Sequence, residues 1–379
     1  MTSQTNSPLA ASTITRQARL LAILQATGLE SLIVNAGPSL TYLTGLSFHL
    51  SERPVLVFFI PDSDPIIVLP ELEQEKLKGL PYKIQPFLYG EDPAQWGSAF
   101  SQAIHSGKLD GKRNGVEPRQ LRLLEYRFLL DGAPEADFIS AENVVSTLRM
   151  HKDEGEITAM HRAAEIAEQA LSSTLPRIMI GTTERDVAIE LSLQLFRAGS
   201  DPQMPFAPIV SAGPNSANPH ATPSERKISS GDLLVIDWGA SFAGYCSDIT
   251  RTFAIGAMDA ELERIGKIVL DANAAGREAS RPGVSAEQVD KAARAVIESA
   301  GYGKYFTHRT GHGLGMEAHE EPYIRNGNPM LLENGMTFTI EPGIYLPQRN
   351  GVRIEDDMVI TQTGADSLTS LPREVRQLI

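Results

Sequence analysis

Four acidic residues and one histidine in the second half of the chain each lie in a short apolar or glycine-bearing segment. They are Asp237, Asp248, His312, Glu341 and Glu355, in the segments VIDWG, YCSDITRT, THRTGHGLG, FTIEPG and VRIEDD. A carboxylate is costly to bury unless a positive charge neutralises it. Two divalent cations and one hydroxide would nearly balance four carboxylates and an imidazole. The set therefore has the composition of a two-metal hydrolytic site with hard oxygen ligands and one nitrogen.

The spacing of these residues allows them to meet in one pocket. Asp237 and Asp248 are eleven residues apart, and two glycines between them mark bends. Two adjacent strands joined by such a loop can direct both carboxylates to the same side. His312 lies among glycines, which let the backbone approach closely. Alternation along VRIE predicts that Arg353 and Glu355 share a face.

Each residue taken alone has a simpler interpretation. An acid at a strand end is more often a turn or ion-pair partner than a ligand, and a lone histidine is more often structural. The prediction therefore rests on the joint pattern. Other enzyme signatures are missing from the sequence: H-E-x-x-H, G-x-S-x-G, a P-loop, the Rossmann glycine fingerprint and C-x-x-C.

Length and composition indicate a globular protein of about two domains, with 379 residues of which 42% are hydrophobic. The net charge is −13, and this acidic balance makes nucleic acid a poor partner. The apolar run at 54–60 is far shorter than the roughly 20 residues of a membrane span, and no signal peptide is recognised. One cysteine, Cys246, excludes an intrachain disulfide and indicates a reducing, cytoplasmic compartment. It is interpreted as a small core residue rather than a ligand.

The pattern of apolar residues predicts two domains of mixed helix and strand. Residues 1–14 are expected to form a frayed leader, 15–150 an α/β or α+β domain, and 151–379 a second domain. In the first domain, helices are predicted at 16–26, 94–104 and 120–130, and strands at 32–34, 55–60, 66–69, 116 and 138–139. The PDSD turn after residue 60 indicates a hairpin. The histidines of this domain, His49 and His105, are interpreted as surface or structural residues.

The second domain contains a weak internal repeat with an offset of 102 residues. Helices predicted at 153–175 and 259–279 lead into the segments GTTERDVAIEL and GVSAEQVDKAA. Thr183 and Ser285 are the candidate N-caps, and Ser285 with Gln288 forms a capping box. The alternative is a coincidence of common capping signals. If the repeat is real, ligands from two pseudo-symmetric halves converge in one central site.

These segments resemble the pita-bread metallopeptidases, in the branch that contains Xaa-Pro dipeptidase (prolidase) and Xaa-Pro aminopeptidase (aminopeptidase P). The strings DWGASFAGYCSDITRTF, HRTGHGLGMEAHE, TIEPGIY and GVRIEDD carry the resemblance, which covers nearly the whole chain. It implies an α+β protein with a creatinase-type N-terminal domain and a pseudo-two-fold pita-bread catalytic domain. The N-terminal domain favours the Xaa-Pro branch over the methionine aminopeptidases.

The resemblance also implies roles for the five residues. Asp237 would chelate one metal through both oxygens, His312 and Glu341 would bind the other, and Asp248 and Glu355 would bridge the pair. Metals in such a site lower the pKa of a shared water. The acid-rich ligand set favours Mn²⁺, with Co²⁺ and Zn²⁺ as alternatives.

Further residues are assigned to the substrate by the same resemblance. His220, His308 and His319 would surround it, with His220 and His319 in catalytic positions and Glu341 as general base. Arg353 would orient Asp237 and is one candidate for binding the proline carboxylate, together with His319 and the loop at 47–53. The carboxylate-binding residue is left open at this point.

The function implied is hydrolysis of the Xaa-Pro bond, by a dipeptidase or by an aminopeptidase acting on longer peptides. The short chain favours the dipeptidase. A metal-free creatinase-like hydrolase and a non-catalytic binding module are remote alternatives, because all five ligand positions hold ligand-type residues. Proline-containing peptides are the expected partners, and the resemblance implies a homodimer.

Overall fold

The computed structural model describes residues 8–379, with side chains from residue 12 onward. The described chain divides into two compact units, Met1–Arg149 and Met150–Ile379. Of the segment expected to be a leader, residues 1–7 lie outside the described part, while residues 8–14 belong to the first helix. No helix in the described part of the chain is long and apolar enough to cross a membrane.

The first unit is a six-stranded mixed sheet with helices. Its helices are Pro8–Thr27 (α1), Pro38–Thr44 (α2), Pro93–Gly107 (α3), Leu123–Gly132 (α4) and Glu142–Met150 (α5), with a 3₁₀ helix at Glu71–Leu77. Its strands are Ser31–Asn35 (β1), Leu56–Phe59 (β2), Ile66–Pro70 (β3), Gln85–Tyr89 (β4), Arg113–Val116 (β5) and Asp137–Ser140 (β6). The strand order is β4-β3-β2-β1-β5-β6. The predicted β2–β3 hairpin is confirmed by their antiparallel pairing.

The core of this unit explains why these elements form. Apolar residues of β1, β2 and β3 pack against Phe100 and Ile104 of α3 and Leu129 of α4. Phe100 also stacks on Phe128, with ring centroids 4.5 Å apart. Asp92 caps α3 through the Ala94 amide, and Pro93 occupies the first turn. The short helices α2 and α5 were not predicted.

The second unit contains four long helices and several small sheets. The helices are Glu154–Thr174 (α6), Glu184–Ala198 (α7), Ala260–Ala279 (α8) and Ala286–Ser299 (α9), with 3₁₀ turns at Leu175–Arg177, Gly213–Ala217 and Gly303–Tyr305. Its first strands are Ile209–Ala212 (β7), Leu233–Trp238 (β8), Ser241–Phe242 (β9), Tyr245–Cys246 (β10) and Ile249–Ala254 (β11). The later strands are Gly311–Gly313 (β12), Glu320–Ile324 (β13), Thr337–Ile340 (β14), Gly343–Tyr345 (β15), Gly351–Arg353 (β16), Asp356–Ile360 (β17), Ala365–Ser367 (β18) and Arg376–Gln377 (β19).

Two of these sheets form the frame of the unit. One has the order β19-β11-β8-β7 and the other β13-β12-β14-β17-β18. Residues of α6 and α7 pack on the first sheet, with Trp238 fully buried and its indole donating to the Ala167 carbonyl at 2.9 Å. Residues of α9 pack on the second sheet around Phe338 and Ile340. Each helix pair thus covers the sheet that supplies part of the acidic cluster.

The internal repeat is visible in these two halves. Thr183 starts α7 and Ser285 starts α9, as the predicted N-caps, and the capping box predicted at Ser285 is confirmed. Thr183 forms a second capping box with Asp186. The same two residues make isolated β-bridges, Thr183 to Lys227 and Ser285 to Leu331. The shared offset therefore reflects a shared helix-pair and strand arrangement rather than coincident capping signals.

Candidate metal centre

Asp237 and Asp248 come from two antiparallel strands. Asp237 lies near the end of β8, where it pairs with Thr250 of β11. Asp248 immediately precedes β11, and its backbone N–H donates to Oδ2 of Asp357 at 3.0 Å. Both acids are buried. The antiparallel pairing therefore brings together two carboxylates eleven residues apart.

His312 lies in the middle of β12, and its flanking glycines allow neighbouring strands to approach. A Cβ at Gly311 would collide with the Thr339 carbonyl oxygen, and one at Gly313 with the Glu321 carbonyl oxygen. The His312 ring is oriented by a contact of Nδ1 with the Gly313 carbonyl at 3.2 Å. Because that carbonyl is an acceptor, Nδ1 carries the proton and Nε2 is left as a ligand atom.

Glu341 and Glu355 complete the cluster from the ends of other strands. Glu341 follows β14, and its Oε1 lies 3.4 Å from Nε2 of His312. Glu355 lies between β16 and β17, and its N–H donates to the Thr250 carbonyl at 3.1 Å. Thr250 also donates through Oγ1 to Oε2 of Glu355 at 2.6 Å. Thr250 thus joins the sheet of Asp237 to the segment of Glu355.

The five residues form overlapping groups whose ligand atoms lie within 4.8 Å of one another. One group is Asp237, Asp248 and Glu355, and another is His312, Glu341 and Glu355. Nε2 of His312 also lies 3.6 Å from Oδ2 of Asp248. Asp248 and Glu355 are therefore central, while Asp237 lies on one side and His312 with Glu341 on the other.

The electrostatics show an excess of buried negative charge. Burial raises the pKa of Asp248 and of Glu355 well above the ordinary range, and the neighbouring carboxylates raise both further. Burial likewise raises the pKa of Glu341 to about 7, although Arg353 opposes the shift. Burial lowers the pKa of His312, so its imidazole is neutral. Four acids crowd one site in which one guanidinium, that of Arg353, bonds directly to a carboxylate.

These residues fit a pair of divalent cations. Oδ1 of Asp237 is buried and has no hydrogen-bond partner among the described residues. Such an orphaned acceptor is costly unless a cation or a donor meets it. Carboxylate oxygens with one imidazole nitrogen suit Mn²⁺, Co²⁺ or Zn²⁺. The cluster thus lacks the positive charge that two divalent ions supply.

The three other predicted histidines lie around this cluster in different settings. His220 is exposed, and its charge influences the pKa values of Asp237 and His308. His319 is also exposed, and its ring packs edge-to-face on His312 with centroids 4.0 Å apart. His308 is half-buried, with Nδ1 2.8 Å from the Arg309 carbonyl and Nε2 2.8 Å from the Tyr345 hydroxyl. Both nitrogens of His308 are therefore engaged within the protein.

Arg353 is an internal partner of Asp237. Its Nη2 donates to Oδ2 of Asp237 at 2.6 Å and its Nε to Oγ1 of Thr250 at 3.0 Å. Nη1 donates to the Pro219 carbonyl and to the Tyr345 hydroxyl. With a side chain 3% exposed and every nitrogen donating, it has no accessible face. The geometry supports the orienting role predicted for Arg353 and gives no support to its predicted substrate contact.

Arg309 is a cation near the site that sequence reasoning missed. Burial is the largest cause of the pKa shifts of His312, His319 and Glu341, and it lowers the pKa of both histidines and raises that of Glu341. The positive charge of Arg309 lowers all three pKa values, so it reaches the cluster. Its guanidinium lies over the Tyr323 ring, 4.4 Å from the centroid, and no ion pair with it is found among the described residues. Arg309 lies three residues before His312, in THRTGH. That spacing alone does not predict that its side chain lies near the site.

Comparison with known proteins identifies the family of this chain. Residues 158–362 match the model of metallopeptidase family M24, and residues 16–151 match the creatinase/prolidase N-terminal domain. The Xaa-Pro dipeptidase of Lactobacillus delbrueckii subsp. lactis is 36% identical over 94% of this chain and 96% of its own length.

Two solved structures are similar over nearly the whole chain. A dipeptidase from Pyrococcus horikoshii OT3 is 37% identical with a TM-score of 0.90, covering 96% of this chain and 99% of its own. A prolidase from Thermococcus sibiricus is 34% identical with a TM-score of 0.90 and the same coverage of both chains. The chain therefore belongs to metallopeptidase family M24, with a creatinase-type N-terminal domain.

Proposed function

We propose that this protein is an Xaa-Pro dipeptidase that uses two divalent cations, with Mn²⁺ favoured and Co²⁺ or Zn²⁺ as alternatives. The observation that carries the proposal is the buried group of four carboxylates and one neutral imidazole, whose negative charge the chain itself does not balance. The similar proteins that match nearly the whole chain include an Xaa-Pro dipeptidase and a prolidase.

The arrangement of oxygens supports a specific division of ligands. Asp237 would hold one cation, using the Oδ1 that lacks a partner among the described residues. His312 and Glu341 would hold the other. Asp248 and Glu355, which each belong to more than one ligand group, would be shared by the two cations. Cations bound by these residues would supply a water of lowered pKa and would polarise the peptide carbonyl.

The protein's own side chains then position the substrate and move protons. Glu341 is not fully enclosed, and its Oε2 lies 3.8 Å from Nδ1 of His308. Because burial raises its pKa to about 7, we assign it the role of general base. His220 and His319 are exposed at the site and can donate to the scissile carbonyl oxygen as negative charge develops. His308, with both nitrogens engaged, holds Tyr345 in place and reaches substrate only after reorienting.

Proline makes a dedicated pocket necessary. Its nitrogen has no N–H and its ring fixes φ, so the extended binding used by general proteases fails. The X–Pro bond also exists in cis and trans forms, and a closed pocket can select one of them. The proline nitrogen must leave protonated, and Glu341 can return the proton it has taken.

Arg309 is the residue that we assign to the free carboxylate of the proline. We do not propose Arg353 for this role, because each of its nitrogens donates to the protein. Arg309 is half-exposed and is held by the ring of Tyr323 rather than by a carboxylate. A guanidinium of this kind can bind a carboxylate with two parallel hydrogen bonds. The alternative function is an aminopeptidase that acts on longer peptides. In such a substrate the proline is followed by another residue, so there is no free proline carboxylate to bind next to the metals.

Paired substrates decide between the two functions. With Mn²⁺ present, Leu-Pro should be hydrolysed and Leu-Pro-Gly should be cleaved far more slowly. Faster cleavage of the tripeptide would identify an aminopeptidase, and failure to cleave any Xaa-Pro bond would reject both functions.

A variant sharpens this assay. Arg309→Met should raise KM for Leu-Pro by about 10- to 100-fold, as expected for loss of a charged hydrogen bond of roughly 1.5–3 kcal/mol. It should have little effect on Leu-prolinamide, which lacks the carboxylate. Arg325→Met is the matched control, since Arg325 is an exposed arginine that donates to its neighbour's carbonyl. An unchanged KM in Arg309→Met would remove Arg309 from this role.

The metal, the compartment and the oligomer belong to the same proposal. Metal analysis of protein purified without added ions tests the preference for Mn²⁺. The lone, buried Cys246 supports a reducing, cytoplasmic compartment, and fractionation of the source cells tests it. Light scattering tests the homodimer that the resemblance implies, and a monomeric mass at micromolar concentration would reject it.

A further inference from the structure

His319 lies in a different setting from the other histidines around the metal centre. A ligand atom of His319 lies within 4.8 Å of one from Asp248 and one from His312, so these three residues form a group of their own. The His319 ring already contacts the His312 ring. Unlike its two companions, which are buried, His319 is exposed. It therefore combines ligand distance with freedom to move.

The backbone that carries His319 is held firmly, while its side chain is not. Glu320, the next residue, accepts a hydrogen bond from Nζ of Lys152 at 2.7 Å, and Lys152 has a side chain 1% exposed. Glu320 also begins β13, where it pairs with Gly313. Exposed side chains change rotamer within picoseconds to nanoseconds. The imidazole can thus turn toward or away from the cluster while its Cα stays in place.

The donor atoms of this group differ in kind from those of the other two groups. His312 offers Nε2, because its Nδ1 contacts the Gly313 carbonyl. With His319 the group has two imidazole nitrogens and one carboxylate. The remaining groups contain either one nitrogen or none. Imidazole nitrogen favours Zn²⁺, whereas carboxylate oxygen suits Mn²⁺.

We infer that His319 is an exchangeable nitrogen ligand for the cation held by His312 and Asp248, bound in the absence of substrate and released when a peptide enters. The inference rests on the proposed function, since it assigns a second role to a residue of that site. As a consequence, the substrate-free protein should prefer Zn²⁺ over Mn²⁺. This preference should be stronger than that of a site made only of the five ligands predicted from the sequence. Release of the imidazole then makes it available to the peptide carbonyl.

The test is metal binding without substrate, in the full-length protein. Dissociation constants for Zn²⁺ and Mn²⁺ are measured by competition with a chelator in the wild type, in His319→Ala and in His220→Ala. In His319→Ala, Zn²⁺ binding at the subsite of His312 and Asp248 should fall by about tenfold, because a nitrogen donor is lost. Mn²⁺ binding should change by less than about threefold. His220→Ala is the matched control, since His220 is an exposed histidine near the site that belongs to none of the three groups.

A second readout follows the release of the imidazole. In Co²⁺-loaded wild type, addition of proline should shift the visible absorption spectrum toward that of Co²⁺-loaded His319→Ala. The same addition should leave the spectrum of the variant nearly unchanged. If His319→Ala leaves the ratio of the Zn²⁺ and Mn²⁺ dissociation constants unchanged, the inference is overturned. If the wild type binds two cations and cleaves Leu-Pro while that ratio is unchanged, this inference alone fails. A wild type that binds no pair of cations rejects the proposed function itself.

Discussion

Two adjacent acids, Glu355 and Asp356, belong to buried clusters that handle negative charge in opposite ways. Glu355 faces the metal centre, where burial and the charges of Glu341 and Asp237 raise its pKa well above the ordinary range. Asp356 faces away from it and is fully buried. Burial alone would raise the pKa of Asp356, but nearby guanidinium groups outweigh burial and lower it.

The partners of Asp356 explain this difference. Its oxygens accept hydrogen bonds at 2.7–3.0 Å from four side chains: Arg251, Arg373, Thr369 and Asn273. A third guanidinium, of Arg277, lies 3.9 Å away. Because neighbouring residues of an extended chain point to opposite faces, a step of one residue separates the two clusters.

The comparison shows that the fold is able to neutralise a buried acid and does not do so at the metal centre. Three arginines lie within ion-pair distance of the single carboxylate of Asp356, whereas among the described residues one arginine bonds to only one of the four carboxylates of the other cluster. Two like charges 4 Å apart repel by about 4 kcal/mol at an effective dielectric constant of 20. The carboxylates around Glu355 therefore fit the cations proposed above, while Asp356 is a structural ion-pair centre.

Removal of Glu355 should have the largest effect on activity. Glu355→Ala deletes a bridge between the two sides of the cluster, so turnover of Leu-Pro should fall by about 10³-fold or more. Metal content should fall below that of the wild type. Mass spectrometry of bound metal and a peptidase assay measure both quantities.

The folded state of that variant provides its control. Since one repelling charge is removed, metal-free Glu355→Ala should be at least as stable as metal-free wild type in urea denaturation. Asp248→Ala should behave in the same way. Turnover like that of the wild type in either variant would refute the bridging assignment.

Removal of Asp356 should have the opposite signature, a loss of stability that metal does not explain. Asp356→Ala leaves buried guanidiniums without their carboxylate and should lower the free energy of unfolding by about 3–5 kcal/mol. Urea denaturation in EDTA measures it. Asp271→Ala is the control, because Asp271 pairs with Lys267 on the exposed face of α8 and such pairs contribute less than about 1 kcal/mol. A loss at Asp356 as small as at Asp271 would remove the distinction between the clusters.

Added metal should stabilise the protein through the cluster of Glu355 and not through that of Asp356. Mn²⁺ at about 100 times its dissociation constant should raise the free energy of unfolding of the wild type by about 2.7 kcal/mol. The milder variant Asp356→Asn should keep this increment, and Glu355→Gln should lose most of it. Melting curves with and without Mn²⁺ measure the difference. An increment retained in Glu355→Gln would place the cation elsewhere.

The metal centre was largely predictable from sequence, and the Asp356 cluster was not. Each of the five ligand-type residues lies in a short apolar or glycine-bearing segment with its own signature, and the resemblance names them together. In the string VRIEDD, by contrast, the three acids look alike. The partners of Asp356 lie 105, 83 and 17 residues away in sequence, at Arg251, Asn273 and Arg373. Only folding decides which acid meets which guanidinium.

The fold shows the same division. Helices α6 to α9 were predicted because long amphipathic segments and capping residues mark them, and the capping boxes at Thr183 and Ser285 are observed. The short helices α2 and α5 escaped prediction, since each offers at most nine residues of pattern. Arg309 escaped as a site residue because its position depends on the path of the loop before β12, which residue spacing does not specify.

The smallest effect expected is at Thr250, the hydroxyl that lies between the charged groups of the metal centre. Thr250 Oγ1 donates to Oε2 of Glu355 at 2.6 Å and accepts from Nε of Arg353 at 3.0 Å. Thr250→Val keeps the shape of the side chain and removes both hydrogen bonds. Loss of such a ligand-orienting contact should weaken Mn²⁺ binding by about tenfold, at the lower end of the 10- to 100-fold usual for outer-shell partners.

Thr252 supplies a matched control two residues along the same strand. Its hydroxyl is also buried and bonds to Arg353, but it donates to the backbone carbonyl and accepts from the backbone N–H, with no carboxylate involved. Thr252→Val should therefore reduce stability without changing Mn²⁺ affinity. If both variants weaken Mn²⁺ binding equally, the hydroxyl of Thr250 acts through the strand rather than through Glu355. In that case the hydrogen bond from Thr250 would not be what prepares Glu355 for the cation. The difference between Glu355 and Asp356 would then depend less on their immediate hydrogen-bond partners than their contacts suggest.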